Sequence, residues 1–177
     1  KNWGIVYLGN LLGGLLVAAG VVYSHQPDLF GKQMAVSVIS TAAAKCSLTF
    51  GDAVIRGILC NFLVCIAVWI SFAAKDVAGK MMGLFFPIMM FVLCGFEHSI
   101  ANMYYIGAGI FAKTIPEYVQ AAAKAGVNMD AVGWGNFFGA NLLPVTIGNI
   151  IGGAVCVGCV YWYVYLSKTE RSASPRT

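Results

Sequence analysis

Long apolar stretches without charged residues dominate this chain. Three of them, at about 3–23, 54–74 and 142–166, are each about 20 residues or longer, and the only charged residue among them is Arg56, near the start of the second. A helix needs roughly 20 apolar residues to cross a bilayer. The pattern therefore predicts three membrane-spanning helices in these ranges.

A fourth apolar run, 81–111, does not fit a single ordinary span. As one helix its 31 residues would measure about 46 Å, against a hydrocarbon core of about 30 Å. A glycine and several polar residues interrupt its centre: Gly95, Glu97, His98 and Ser99. Ionisable groups at that depth normally face a cavity or pathway, and irregular backbone is tolerated there only beside one or inside protein. We therefore predict two half-helices, 81–93 and 100–112, joined by a loop. The alternative is one long tilted helix with a paired Glu97 and His98.

The composition excludes several classes of protein. Apolar residues make up 59% of the chain and charged residues 10%, whereas soluble domains average about 25% charged residues. Six cysteines, mostly inside apolar runs, do not indicate a disulfide scaffold, and no basic cluster indicates nucleic-acid binding. The hydrophobicity also excludes disorder. The fold class that remains is an all-α integral membrane protein, with the lipid bilayer as its solvent.

The distribution of lysine and arginine predicts the orientation. With four spans, one side of the membrane receives six basic residues: Lys1, Lys75, Lys80, Lys168, Arg171 and Arg176. The other side receives Lys32, Lys113 and Lys124. Because cytoplasmic loops carry the excess of positive charge, both termini are expected in the cytoplasm.

A short glycine-rich pattern occurs twice. Residues 9–14 read Gly-Asn-Leu-Leu-Gly-Gly and residues 148–153 read Gly-Asn-Ile-Ile-Gly-Gly. Helices three spans apart run in opposite directions, so the match indicates an inverted repeat, an architecture of channels and transporters. The helix at 3–23 would then end a first repeat whose two earlier spans are absent. We therefore expect one membrane domain, 1–177, forming the last four of six spans. The alternative is a natural four-span protein with chance glycine patterns.

Three segments together resemble one family. Residues 91–103, which read FVLCGFEHSIANM, resemble the signature of the formate/nitrite transporter family. Residues 56–65 and 141–153 resemble its motifs in the fourth and sixth spans. The resemblance implies an aquaporin-like, inverted-repeat helix bundle that forms homopentamers in the bacterial inner (plasma) membrane. It also implies transport of small anions such as formate, nitrite or hydrosulfide, with formate channels the most similar.

The same resemblance implies roles for individual residues. The central histidine of the family falls on His98, its lysine on Lys45 and its fourth-span asparagine on Asn61. The aromatic residue at one constriction falls on Phe91. The family also uses a threonine in a broken second span, and no such segment precedes the helix at 3–23 in this sequence.

The chemistry of Lys45 and His98 suits anion transport. A bare anion pays a large desolvation penalty in an apolar constriction. Lys45 either offsets this penalty with positive charge or snorkels to the interface. Histidine has an unperturbed pKa near neutrality, so His98 either passes a proton to the anion or holds the loop as a structural residue.

Three of the other candidates, Asn61, Asn102 and Phe91, have two interpretations each, and the remaining three are expected to form the loop. Asn61 and Asn102 hydrogen-bond either the loop backbone or the substrate. Phe91 either forms a constriction or packs in the core. Glu97 is expected to accept hydrogen bonds from loop amides, because a carboxylate would repel an anion. Gly95 and Ser99 complete the loop.

Two other functions compete with an anion channel. A membrane anchor of a redox enzyme would need paired histidines in the membrane for haem, and only His98 qualifies. A neutral-solute channel of the aquaporin type would need neither Lys45 nor His98. No Cys/His cluster has metal-binding spacing, so we expect no metal, no cofactor and no enzymatic activity.

Overall fold

The computed structural model describes residues 1–166 of the 177, which form helices joined by turns and loops, with no strand among them. Their helices are α1 (Asn2–Tyr23), α2 (Gln33–Cys46), α3 (Phe50–Ala73), α4 (Val77–Leu93), α5 (Ser99–Ala112), α6 (Pro116–Lys124) and α7 (Trp134–Leu166). A 3-10 turn, Gln26–Asp28, lies between α1 and α2. The all-helical fold predicted from the sequence is confirmed. Lys168, Arg171 and Arg176, used above to predict orientation, lie outside the described residues.

Within residues 1–166, three helices are long and apolar enough to cross a membrane: α1, α3 and α7. Helix α4 is apolar but shorter. Helix α7 extends over 33 residues and begins at Trp134, whereas the sequence pattern placed its start near 142. It includes widened π-helical segments, the first at Phe137–Leu142, just before Pro144. Proline lacks the backbone N–H that an α-helix requires, and π-helical turns accommodate such interruptions.

Helix α2 was not predicted from the sequence. Its 14 residues are too few to span a bilayer, so the search for long apolar runs passed over it. Its buried residues nevertheless recur at helical spacing: Ala35, Ile39, Ala42 and Cys46. Because residues at i, i+4, i+7 and i+11 share one helix face, this spacing was a readable indication of the helix.

The predicted break in the fourth apolar run is present. Helix α4 ends at Leu93, and Gly95 follows in the left-handed region with φ of 65°. The N–H of Phe96 bonds the carbonyl of Phe91 at 3.0 Å, and the N–H of Gly95 bonds that of Val92 at 3.1 Å. This pair of bonds is a Schellman motif, which glycine favours because it has no Cβ.

The chain divides into two compact units. The first contains residues 1–53 and 98–144, and the second contains, among the described residues, 54–97 and 145–166. In the first unit, small residues bring helices together: a Cβ at Gly14 would lie 3.3 Å from Met103, and one at Gly107 would lie 2.7 Å from a methyl group of Leu15. Helix α5 therefore packs closely against α1.

The second unit is built on glycine contacts between α3 and α7. A Cβ at Gly57 would lie 2.8 Å from the carbonyl oxygen of Val145, and one at Gly148 or Gly152 would collide with carbonyl oxygens of α3. The later copy of the repeated motif thus packs directly on the α3 backbone. In the first unit, Gly9 and Gly13 of the earlier copy have no atom within 4 Å of the Cβ position.

Candidate functional site

His98 begins helix α5 in the first unit. It occupies the N-cap position with extended backbone (φ −114°, ψ 114°), and its Nδ1 accepts a hydrogen bond from the N–H of Ala101 at 3.3 Å. The first N–H groups of a helix have no partners within it, so a side-chain acceptor here stabilises α5. Asn102 follows one turn later, and its N–H bonds the carbonyl of His98 at 2.9 Å.

Lys45 lies in the last turn of α2 and is half-buried. Its ammonium nitrogen is 5.6 Å from the centroid of the Tyr105 ring, within range of a cation–π interaction. Lys45 is also close enough to His98 for the two side chains to interact electrostatically. The first unit therefore brings together the lysine and histidine that are far apart in the sequence.

Asn102 is fully buried and bonded to a second asparagine. Its Nδ2 donates to Oδ1 of Asn141 at 2.8 Å, and Nδ2 of Asn141 donates to the carbonyl oxygen of Lys45 at 3.0 Å. The side chains of α5 and α7 are thus linked to the backbone of α2 by two hydrogen bonds. Ser99 is the first residue of α5 and is also buried.

In the second unit, the backbone before His98 is held by hydrogen bonds. The N–H of Glu97 bonds the carbonyl of Arg56 at 3.3 Å, and the carbonyl of Glu97 accepts from Nδ2 of Asn149 at 2.9 Å. Glu97 is 3% exposed. The same Nδ2 of Asn149 also donates to the carbonyl of Gly57 at 2.9 Å. Asn149 therefore joins α3, the loop and α7 within this unit.

The remaining predicted residues also lie in the second unit. Nδ2 of Asn61 donates to the carbonyl oxygen of Asn149 at 2.6 Å, so this asparagine contacts backbone. Phe91 lies near the end of α4, half-buried, with its carbonyl in the Schellman motif. Gly95 provides the left-handed residue of that motif.

Sequence reasoning missed the importance of Asn141 and Asn149. Both lie in the segment 141–153 that resembles the sixth-span motif, yet that resemblance predicts no role for either. An indication was present, since an amide inside an otherwise apolar span normally faces protein rather than lipid. Both residues are buried, at 0% and 7% exposed.

A groove elsewhere in the first unit does not include the predicted site residues. A groove of about 720 Å³ is lined by residues from the start of α2 and from α6, including Lys32, Glu117 and Lys124, and it excludes both Lys45 and His98. Within residues 1–166, no three His, Cys, Asp or Glu side chains are grouped to hold a metal ion.

Known proteins resemble this chain along nearly its whole length. The formate/nitrite transporter family model matches residues 1–163. The formate channel FocA of Escherichia coli strain K12 is 42% identical over 172 residues, which are 96% of this chain and 60% of FocA. A probable formate transporter of Methanothermobacter thermautotrophicus is 38% identical, over 95% of this chain and 60% of that protein.

A solved structure of a pentameric formate channel with formate bound superposes with a TM-score of 0.84 at 39% identity, covering 94% of this chain and 66% of that one. The chain thus spans about 60% of the length of the curated relatives given above. These relatives carry the names of channels and transporters, not of enzymes. Because the family model matches residues 1–163 of the 177, the chain belongs to the formate/nitrite transporter family.

Proposed function

We propose that the protein acts in a membrane channel for small monovalent anions, with formate as the preferred substrate, and that Lys45 and His98 handle the anion. One observation carries the proposal: inside one compact unit, the ammonium nitrogen of half-buried Lys45 lies 5.6 Å from the Tyr105 ring on α5, the helix whose N-terminus His98 caps. The names of the relatives, formate channel and probable formate transporter, support formate as the substrate.

Positive charge is the first requirement for an anion pathway. An unpaired anion loses its hydration in an apolar constriction, at a cost of several kcal/mol in proteins. The ammonium group of Lys45 offsets part of that cost. The N-terminal end of α5, which carries a partial positive charge, offsets more of it.

Proton transfer is the second way to reduce the cost. A protonated His98 gives its proton to a carboxylate oxygen of formate, leaving a neutral imidazole and neutral formic acid. Formic acid crosses an apolar constriction without a net charge. If the acid returns the proton to His98 before leaving, the anion alone has moved. If it keeps the proton, anion and proton have moved together.

The other predicted residues are assigned supporting roles. Asn61 and Asn102 are pathway residues that supply amide groups, and Phe91 is the aromatic residue of a constriction. Gly95, Glu97 and Ser99 maintain the loop before α5. The buried backbone contacts of Glu97 and the left-handed Gly95 support this division.

The assembly is proposed to be a homopentamer in the bacterial inner (plasma) membrane, with both termini cytoplasmic and a pathway in each protomer. The similar solved structure is described as pentameric, which supports the oligomer. The exposed apolar side chains along α1, such as Trp3, Leu12 and Leu16, fit contact with lipid or with neighbouring protomers.

Flux measurements on the complete protein in proteoliposomes test the proposal. Formate, nitrite, hydrosulfide and acetate compete at several pH values, and formate is expected to be preferred. Lys45→Met should raise the half-saturating formate concentration by about tenfold, which corresponds to losing one charge-assisted interaction. The matched control, Lys124→Met, removes an exposed lysine at the end of α6 and should transport normally.

Three outcomes would contradict the proposal. Preference for nitrite or hydrosulfide over formate would reassign the substrate within the family. Equal flux of Lys45→Met and the unsubstituted protein would remove Lys45 from the pathway. Water flux without anion flux would indicate a neutral-solute channel.

A further inference from the structure

Asn141 occupies an unusual position in the first unit. It lies in the π-helical segment Phe137–Leu142 of α7 and is 0% exposed. π-helical turns are rare and occur frequently at functional sites. Both ends of its amide are engaged: Oδ1 accepts from Nδ2 of Asn102 at 2.8 Å, and Nδ2 donates to the carbonyl oxygen of Lys45 at 3.0 Å.

The carbonyl of Lys45 is one that α2 itself does not satisfy. Helix α2 ends at Cys46, so the carbonyl oxygens of its last four residues have no partner within the helix. The carbonyl of Ala43 accepts from the N–H of Ser47 at 3.1 Å and from its hydroxyl at 2.8 Å. The carbonyl of Lys45 is satisfied from another helix, by Asn141.

We propose that Asn141 is a positioning residue for Lys45: its amide fixes the last turn of α2, and so fixes the ammonium group that meets the anion. The inference rests on the proposed function, because the position of Lys45 matters to transport only if Lys45 acts on the anion. Asn102 completes the arrangement by holding the Asn141 amide in the orientation that donates to α2.

The mechanism follows from helix geometry. A helix end that loses its partner frays over its last turn, and Lys45 lies in that turn. Its side chain would then leave the position beside the Tyr105 ring, where the ammonium nitrogen is 5.6 Å from the ring centroid. A lysine spread over several positions interacts more weakly with an anion at any one of them.

A double-mutant cycle on the complete protein tests the proposal. Flux of formate into proteoliposomes is measured for the unsubstituted protein, Asn141→Ala, Lys45→Met and the double variant. Asn141→Ala is expected to raise the half-saturating formate concentration more than it lowers maximal flux per assembled channel. The rise in half-saturating formate concentration caused by Lys45→Met should then be at least about threefold smaller in the Asn141→Ala background than alone. Contacting residues are coupled, whereas independent ones are additive.

The control uses the same side chain on the same helix. Asn136 is exposed, and its Nδ2 donates to the carbonyl of Ala131 at 2.9 Å. Asn136→Ala should leave half-saturation unchanged, and its effect should add to that of Lys45→Met. If Asn141→Ala does not assemble, Asn141→Ser and the isosteric Asn141→Asp enter the same cycle.

The outcomes separate this inference from the proposed function. If Lys45→Met alone transports normally, the role of Lys45 is wrong and the inference falls with it. If Lys45→Met impairs transport but the two substitutions are additive, Asn141 only stabilises the fold and the positioning role is overturned. Coupling between the two substitutions, together with a raised half-saturating formate concentration for Asn141→Ala, supports the positioning role.

Discussion

The side-chain amide of Asn149 donates a hydrogen bond to the backbone carbonyl of Glu97 at 2.9 Å. Glu97 directly precedes His98 in the chain, so this bond holds the end of the loop from which α5 begins. The same nitrogen donates to Gly57 of α3, also at 2.9 Å. One amide in the second unit therefore satisfies two buried carbonyl oxygens in separate segments.

Replacing Asn149 by alanine should destabilise the protein. It removes one hydrogen bond from each of the buried carbonyls of Gly57 and Glu97, at a net cost of about 0.5–1.5 kcal/mol for each bond lost. Thermal unfolding of the purified protein in detergent measures the effect. Asn10→Ala is the matched control: Asn10 has the same place in the repeated motif, but it is exposed and bonds Val6 within its own helix. Equal losses for the two variants would contradict the prediction.

His98→Asn should separate capping from proton transfer. Asparagine is among the best N-cap residues, so α5 should form and the protein should fold. Without the imidazole, formate flux should fall about 100-fold or more, the usual range for loss of an acid–base group, and its pH dependence should flatten. Flux across pH measures both effects.

The other histidine gives the control for that experiment. His25 lies in the exposed turn after α1 with φ of 60°, a conformation that asparagine tolerates. His25→Asn should therefore preserve both flux and pH profile. A His98→Asn protein with unchanged rate and pH profile would eliminate proton relay by this residue.

Gly152→Ala should disrupt the contact between α3 and α7. The new methyl group would collide with the carbonyl oxygen of Ile58, which is backbone and cannot rotate away. Overpacking of this kind costs about 1–3 kcal/mol or more, so the unfolding temperature should fall. At Gly158 of the same helix, the nearest atom to a new Cβ is the carbonyl oxygen of Gly153 at 3.5 Å, an ordinary contact. Gly158→Ala should be neutral or stabilising. A larger fall in unfolding temperature for Gly158→Ala than for Gly152→Ala would refute the packing explanation.

The ion pair between Lys32 and Glu117 predicts a pH dependence of stability. The hydrogen bond that Lys32 donates to Glu117, together with the negative charge of that carboxylate, raises the pKa of Lys32 above the ordinary value of 10.5. A raised folded-state pKa stabilises the protein below the unfolded pKa, and this contribution disappears as the pH rises through the folded value. Because the pair is exposed, its effect should be small and weakened by salt.

Unfolding temperatures of the unsubstituted protein and of Glu117→Gln measure this contribution. The difference between the two unfolding temperatures should be present between about pH 7 and pH 9. It should vanish at a pH well above the folded-state pKa of Lys32. Asp130→Asn, which removes an acid that forms no ion pair among the described residues, should show no such change. A difference for Glu117→Gln that persists at high pH would assign the effect to packing.

The sequence predicted the break in the fourth apolar run for a clear physical reason. A 31-residue run is too long for a bilayer, and Gly95, Glu97 and His98 at its centre are costly in a continuous membrane helix. It did not predict α2, because the search relied on length, and α2 has only 14 residues. The early start of α7 was missed because Gly135, Gly139 and Pro144 disfavour a regular α-helix.

The sequence predicts which residues form the candidate site more readily than how those residues are arranged. Lys45 and His98 could be nominated from residue type and resemblance, but their proximity depends on α2 and α5 packing together. That packing depends on details such as Gly109 meeting Ala42, which one sequence does not specify. Asn141 was harder still, since a π-helical turn determines which way an asparagine faces on α7.

The capping bond of His98 also fixes where its proton resides. An imidazole nitrogen that accepts a hydrogen bond carries no hydrogen, so neutral His98 is the Nε2–H tautomer. A proton arriving at Nδ1 would have to displace the N–H of Ala101. Protonating the imidazole at Nδ1 would therefore remove the side-chain cap of α5, so any proton that His98 gained or lost there would change the first turn of the helix.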